Sequence, residues 1–172
     1  MASLKNRSVI ITGGASGIGK AISLLFAEQG AIVHIIEVDE ATAGATVNEI
    51  KGKGGAAHFH LCDVSNQQQV IEAFGRIGVA DILINNAGIA HVGRADTTST
   101  EDFDRVLNVN VKGAYNCLFA VIPLMKANKN GVILNTASIA AYVGITDRFA
   151  YSASKGAIHA MTLSVARDYL QD

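Results

Sequence analysis

The sequence predicts a single α/β domain, a doubly wound parallel sheet with helices on both faces. Short β-branched runs that are apolar throughout alternate with segments of helical period, the pattern of a parallel sheet buried on both sides. The first run stops at a glycine cluster, Thr12-Gly13-Gly14-Ala15-Ser16-Gly17-Ile18-Gly19, and a helical segment begins at once. With 172 residues, 49% of them hydrophobic and 17% charged, the chain fits one domain with a sizeable core and argues against disorder.

The elements follow in order. Val9-Ile10-Ile11 is the first strand, and Ile18, Ile22, Leu25 and Phe26 recur at helical intervals over 18–28 before Gly30 closes the segment. Ile32 to Ile36 is a second strand, 40–51 a second helix and Ala56 to Leu61 a third strand. A helix from Asn66 to Arg76, a strand over 81–85 and a long helical stretch over 101–127 come next. Thr98 to Asp102 supplies capping residues and first-turn carboxylates for that stretch. Gly131 to Asn135 is a fifth strand, and a last helix runs from Phe149 to Leu170. No repeat, linker or low-complexity segment interrupts the series.

Charge and cysteine usage narrow the function. Fourteen Lys and Arg against 15 Asp and Glu leave a net charge of −1, which gives no footprint for nucleic acid. No apolar run approaches the roughly 18 residues a membrane helix needs, so no membrane partner is expected. Cys62 and Cys117 make no disulfide framework and no C-x-x-C pair, and no apolar signal region precedes the first strand. The expectation is a soluble protein of a reducing cytoplasm.

A glycine cluster between strand and helix permits positive φ and close approach of backbone to a pyrophosphate, while the helix N-terminus adds free N–H donors. Gly13, Ser16, Gly17, Ile18 and Gly19 are therefore candidate cofactor residues; the competing reading is a tight turn. Gly14 to Lys20 also nearly matches a P-loop, but Ala21 stands where that motif needs a Mg²⁺-binding hydroxyl. The dinucleotide reading instead requires a carboxylate at the end of the second strand, and Glu37 sits 18 residues beyond Gly19. A carboxylate there favours the ribose hydroxyl of NAD over the 2′-phosphate of NADP. Ser16 and Val38 offer no cation to reverse that preference.

Tyr151 and Lys155 lie one helical turn apart on one face. A phenol is a poor base at neutral pH, and a neighbouring ammonium stabilises the phenolate, so such a pair can exchange a proton with an alcohol or carbonyl. Y-x-x-x-K alone is common on ordinary helix surfaces. The added weight comes from strand ends: Asp63, Asn86 and Ser138 fall with the glycine cluster and Glu37 on the carboxyl edge of the sheet, where open α/β folds bind ligands.

Taken together these segments resemble the short-chain dehydrogenase/reductase family, a Rossmann-type fold. The matching residues are Thr12 to Gly19, Asp63-Val64, Asn85-Asn86-Ala87-Gly88, Asn108-Val109-Asn110, Ser138 and Tyr151-x-x-x-Lys155, in the family's order along nearly the whole chain. The resemblance implies a catalytic tetrad of Asn110, Ser138, Tyr151 and Lys155. Tyr151 would be the general acid/base, and Ser138 would hydrogen-bond the substrate oxygen. Lys155 would hold the nicotinamide ribose and favour the Tyr151 phenolate. Asn110 would interrupt a helix and hold a water in a proton relay. Asp63 and Val64 would meet the adenine, and Asn86, Ala87 and Gly88 would line its ribose. The implied reaction is reversible hydride transfer between NAD(H) and a secondary alcohol or ketone. A homo-oligomer, tetramer or dimer, is likewise implied.

Arg148, three residues before Tyr151, is a candidate for bidentate recognition of a substrate carboxylate; the alternative is a solvated loop charge. Thr146 to Tyr151 is similar to family members acting on small hydroxy acids or deoxy sugar acids. A 3-oxoacyl-carrier-protein reductase is a second reading, weakened by Glu37 because such enzymes usually use NADPH. A catalytically silent NAD-binding module is a third, and a P-loop nucleotidase is disfavoured by Ala21. His58, His60 and Cys62 share a strand face, but positions about 7 Å apart with no fourth ligand argue against a metal, so none is expected. No G-x-S-x-G elbow supports serine hydrolysis. Family members normally continue past the Tyr/Lys helix with two more strands and a substrate loop. The chain stops at Asp172, so a truncated portion of a longer protein is expected, with its fifth strand an unpaired edge.

Overall fold

The computed structural model describes residues 4–171. Five strands, β1 (Ser8–Thr12), β2 (Ile32–Glu37), β3 (Ala56–Leu61), β4 (Ile82–Asn85) and β5 (Val132–Asn135), form one parallel sheet in the order β3-β2-β1-β4-β5. The order reverses between β1 and β4, which opens a crevice at their carboxyl ends. Val9 stands opposite Val33 on one side and Ile82 on the other, so the register stacks β-branched side chains across the centre.

Alternate strand residues feed two cores. On one face Ile10, Ile36 and Leu83 pack with Val70 and Phe74 of α3 (Gln67–Ile77) and with Leu118 and Val121 of α5 (Gly113–Asn128). On the other, Val9, Ile11, Val33 and Ile35 pack with Ala27 of α1 (Gly17–Glu28) and with Val47 and Ile50 of α2 (Glu40–Gly52). Both faces being dry explains why these strands read as continuous apolar runs. Each such Val or Ile, fully buried, stabilises the fold by about 1.5–3 kcal/mol.

Local chemistry sets the helix starts. Asp39 accepts from the amides of Ala41 and Thr42, Asn66 from that of Gln69 and Ser99 from that of Asp102. At α1 the N-cap residue Ser16 makes no such side-chain bond.

The stretch expected as one long helix over 101–127 is three pieces: α4 (Thr100–Leu107), a π-helical turn Asn108–Lys112, and α5. Hydrophobic periodicity registers a helix here but not the single extra residue that a π-turn inserts. The last helix, α6, spans Phe149–Asp168 and follows a 3₁₀ turn at Ile139–Ala141. Among the described residues β5 pairs with β4 alone, leaving Val132 and Leu134 exposed at the sheet edge; Asp172 lies outside the described residues. No described helix is long and apolar enough to cross a membrane.

Candidate active site

A cleft of about 770 Å³ runs along the carboxyl ends of β2, β1 and β4. Its floor is the turn between β1 and α1, where Gly13 and Gly17 take φ of +62° and +48°. That turn is locked to the turn after β4. The Thr12 hydroxyl oxygen accepts from the amides of Asn86 and Ala87, both at 3.0 Å, and the Asn86 side-chain amide donates to the carbonyls of Thr12 and Gly13 at 3.1 and 3.2 Å. The packing leaves no room for a side chain at Gly13 or Gly19. A Cβ on Gly13 would lie 3.0 Å from the Ala87 Cα, and one on Gly19 would overlap the Gly13 carbonyl oxygen and stand 2.6 Å from Asn86 Nδ2.

Lys20, the residue that gave the P-loop resemblance, does not face this floor. Its ammonium pairs with Glu49 of α2 at 2.9 Å. Glu37 lines the cleft at the end of β2, and its carboxylate accepts from the Val38 amide at 3.0 Å. Asp63 and Val64 line it after β3. The Asp63 carboxylate accepts from the Ser65 amide and hydroxyl at 2.9 and 2.8 Å. Val64 is held from α5, whose Asn116 amide donates to the Val64 carbonyl at 2.8 Å and whose Gly113 would strike the valine if it carried a Cβ.

The side chains expected to be reactive enter from α6. Tyr151, Lys155 and Arg148 all line the same cleft as Gly13, Ser16, Gly17, Ile18, Glu37, Asn86, Ala87 and Gly88. Lys155 is 5% exposed, and its ammonium donates to the Thr136 carbonyl at 2.7 Å and sits 5.7 Å from the centre of the Tyr151 ring. Burial lowers the Lys155 pKa from its ordinary value. Asn110, in the π-turn, is 2% exposed and uses its side chain fully: Oδ1 accepts from the Ile89 amide, while Nδ2 donates to the Ile89 carbonyl and the Ser154 hydroxyl. A Cβ on Gly88 would stand 3.2 Å from Asn110 Oδ1 and 3.6 Å from Lys155 Nζ, which places both groups against the cleft wall.

Two predicted residues sit differently. Ser138 is not among the residues lining the cleft; its hydroxyl caps the 3₁₀ turn by accepting from the Ala140 amide at 3.2 Å. Gly19 lies beneath the floor as a packing residue, buried against the Gly13 backbone. The loop before α6 is fixed by two backbone bonds to the segment after β4, from the Gly93 amide to the Asp147 carbonyl and from the Phe149 amide to the Gly93 carbonyl. The Arg148 guanidinium donates to the Asp147 carbonyl at 3.1 Å.

A profile of the short chain dehydrogenase family matches residues 7–172. The chain belongs to that family. As a short-chain dehydrogenase it is 42% identical over 171 residues to an uncharacterized oxidoreductase of Thermotoga maritima, covering 96% of this chain and 67% of that relative's length. It superimposes on an NAD⁺-bound xylitol dehydrogenase with a TM-score of 0.92 and 32% identity, covering 97% of this chain and 66% of the other. A metagenomic short-chain oxidoreductase in complex with NADP gives a TM-score of 0.93, 32% identity and coverage of 99% and 78%. The floor of this short-chain dehydrogenase fits such a dinucleotide: Gly13 and Gly17 take positive φ in a strand-to-helix turn, and the α1 N-terminus has no side-chain cap from Ser16 on its amides.

Sequence reading missed Thr136 and Ser154, whose contributions are a main-chain carbonyl and a buried hydroxyl with no motif of their own. It also missed that His34 meets His60 across two strands, Nδ1 to Nε2 at 3.1 Å, with His58 stacked on His34. Burial and then the neighbouring His60 and His58 push His34 down to about 4. Among the described residues no group of three or more His, Cys, Asp and Glu is placed to hold a metal. Cys62 and Cys117 are free and buried, and burial pushes the Cys62 thiol up to about 11.

Proposed function

We propose that this short-chain dehydrogenase transfers a hydride reversibly between NAD(H) and the secondary alcohol or ketone of a small hydroxy acid or sugar acid. The observation that carries the reading is one cleft lined by the glycine floor, Glu37, Tyr151, Lys155 and Arg148 together. Bound there, the dinucleotide supplies the hydride acceptor or donor. Glu37 accepts hydrogen bonds from a ribose diol and disfavours a 2′-phosphate, with neutral Ser16 and Val38 beside it in the cleft wall. Asp63 and Val64 seat the adenine, and Asn86 to Gly88 flank its ribose.

At the reacting end Tyr151 takes the hydroxyl proton of an alcohol, or returns it to a carbonyl oxygen. Lys155 favours the phenolate and orients the second ribose, and Asn110 holds the proton path to Lys155. Ser138, two residues beyond cleft-lining Thr136, accepts from the Ala140 amide and keeps its own hydroxyl proton for the substrate oxygen. Arg148 makes no ion pair among the described residues, which leaves its guanidinium for a substrate carboxylate. Exposed Tyr115 and Phe119 on α5 and Leu163 on α6 support a homo-oligomer. Two free cysteines support a reducing compartment such as the cytoplasm.

The test is a steady-state assay with NAD⁺ over a panel of hydroxy acids, sugar acids and neutral alcohols, paired with NADH fluorescence titration. Tyr151→Phe lowers kcat by about 10²–10⁴-fold while the NADH Kd stays within about twofold. Arg148→Ala raises KM for the acids alone, by about tenfold or more. Unimpaired turnover in Tyr151→Phe refutes the chemistry, and an unchanged KM in Arg148→Ala refutes the acidic substrate.

A further inference from the structure

We propose that Ser154 is a positioning residue that ties the π-turn of Asn110 to the reactive turn of α6; this rests on the proposed Tyr151–Lys155 chemistry. Ser154 is 0% exposed, and its hydroxyl joins two elements. It accepts from Asn110 Nδ2 at 2.9 Å and donates its one proton to the Tyr151 carbonyl at 2.7 Å. A serine inside a helix often bonds back to a carbonyl one turn earlier, and that contact alone would only bend the helix. What distinguishes Ser154 is the second bond, because Asn110 is itself clamped on the Ile89 peptide by an accepted bond at 2.8 Å and a donated one at 2.9 Å.

The resulting chain runs from the Ile89 backbone on the cleft wall, through Asn110 and Ser154, to the main chain of Tyr151. Helix geometry makes the Tyr151 carbonyl the partner of the Lys155 amide as well, so the bond falls on the carbonyl that closes the helical turn between the two residues. Lys155 is anchored from the opposite side by the Thr136 carbonyl. With Ser154 the α6 turn is held at two points, and the distance between phenol and ammonium is set by the scaffold. Without it, one buried Asn110 donor loses its acceptor and the turn is fixed at one point only.

The experiment compares Ser154→Ala, Ser154→Thr and wild type in the intact protein, reading kcat, KM, the kcat pH profile, NADH Kd and Tm. Ser154→Ala is expected to lower kcat by about 10–100-fold and to shift the pH profile, with NADH Kd within about twofold, since small misplacements of reacting groups act on rate. Ser154→Thr, which keeps the hydroxyl, restores most of the rate. A Ser154→Ala protein with lowered Tm but unchanged kcat and pH profile overturns the proposal and leaves Ser154 a packing residue. If Ser154→Ala does not fold, Ser154→Cys, close in size but a weak hydrogen-bonding partner, carries the same readings. Turnover unaffected by Tyr151→Phe, by contrast, sinks the underlying chemistry whatever the Ser154 variants do.

Discussion

The turn after β1 and the segments from β4 to α6 border the same cleft, but the first positions its groups with backbone and the second with buried side chains. In the first, Gly13, Gly17 and Gly19 act by what they lack, and Thr12 and Asn86 staple two turns through main-chain atoms. In the second, Asn110, Ser154 and Lys155 are nearly inaccessible and are held by one another or by carbonyls. A backbone cradle, tied by the Thr12 and Asn86 side chains to facing main-chain atoms, fails by steric collision. A side-chain network fails by losing partners, and its failure is felt in rate before binding.

Gly19→Ala breaks the cradle most severely. The added methyl overlaps the Gly13 carbonyl and crowds Asn86, so both the floor and its staple to β4 must move. The expected outcome is a loss of about 3 kcal/mol in urea unfolding and an NADH affinity weaker by about 100-fold or more. Gly17→Ala is the control, since nothing lies within 4 Å of its Cβ and only the +48° φ is strained. It costs about 1–2 kcal/mol. If Gly19→Ala binds NADH as wild type does, the floor is not a steric cradle.

Glu37 is the exception in the backbone half, a side chain given a proposed role without a network around it. Its carboxylate is held only by the adjacent Val38 amide among the described contacts, so removing it leaves stability nearly unchanged. Glu37→Ala is therefore expected to narrow the proposed preference for NADH over NADPH by about tenfold, or 1.4 kcal/mol, at constant Tm. A preference that survives the substitution moves the selectivity elsewhere in the cleft.

The same contrast explains what the sequence made legible. Steric need for glycine is local, so the spacing of Thr12 to Gly19 exposed the floor, and a fixed offset exposed Glu37. A parallel sheet covered on both faces followed from apolar runs that match the two buried cores, whereas the strand order came only with the pairing. Tyr151 and Lys155 were visible because one helical turn separates them. The bonds that orient them were not, because Asn110 reaches Ser154 across 44 positions, and Lys155 reaches a main-chain carbonyl that no residue type announces. Periodicity hid the π-turn, since it reports a buried face and not one inserted residue, although the family resemblance implied the interruption at Asn110 that the turn supplies. At the β2–β3 pair, counting along β3 alone put His58 and His60 too far apart to share a metal ion and said nothing of His34. The register sets His34 opposite His58, one pleat from His60, and only pairing reveals that.

This histidine pair supplies the smallest test of the comparison. It lies in the strands of the backbone half, so acid should weaken that half without acting on the proposed catalytic network. His34 titrates at about 4 in the fold, chiefly because it is half-buried and then because His60 and His58 repel its charged form. His60 is lowered as well, by burial first and by Arg76 next. A folded value below the ordinary imidazole value near 6.5 means the unfolded chain binds more protons between about pH 6.5 and 4. Stability is then fully present above pH 6.5, falls as pH drops towards 4, and stops falling on this account below that. Solvent screening of the half-exposed ring limits the His34 share to about 1–2 kcal/mol. Urea midpoints at pH 7 and pH 5 measure it: wild type loses stability between them, and His34→Leu, which removes the titrating ring, loses measurably less. Glu49 is held down at about 2 and contributes little change in that window. Equal losses in wild type and His34→Leu would assign the acid limb to other groups and remove the histidine pair from the stability of β2 and β3.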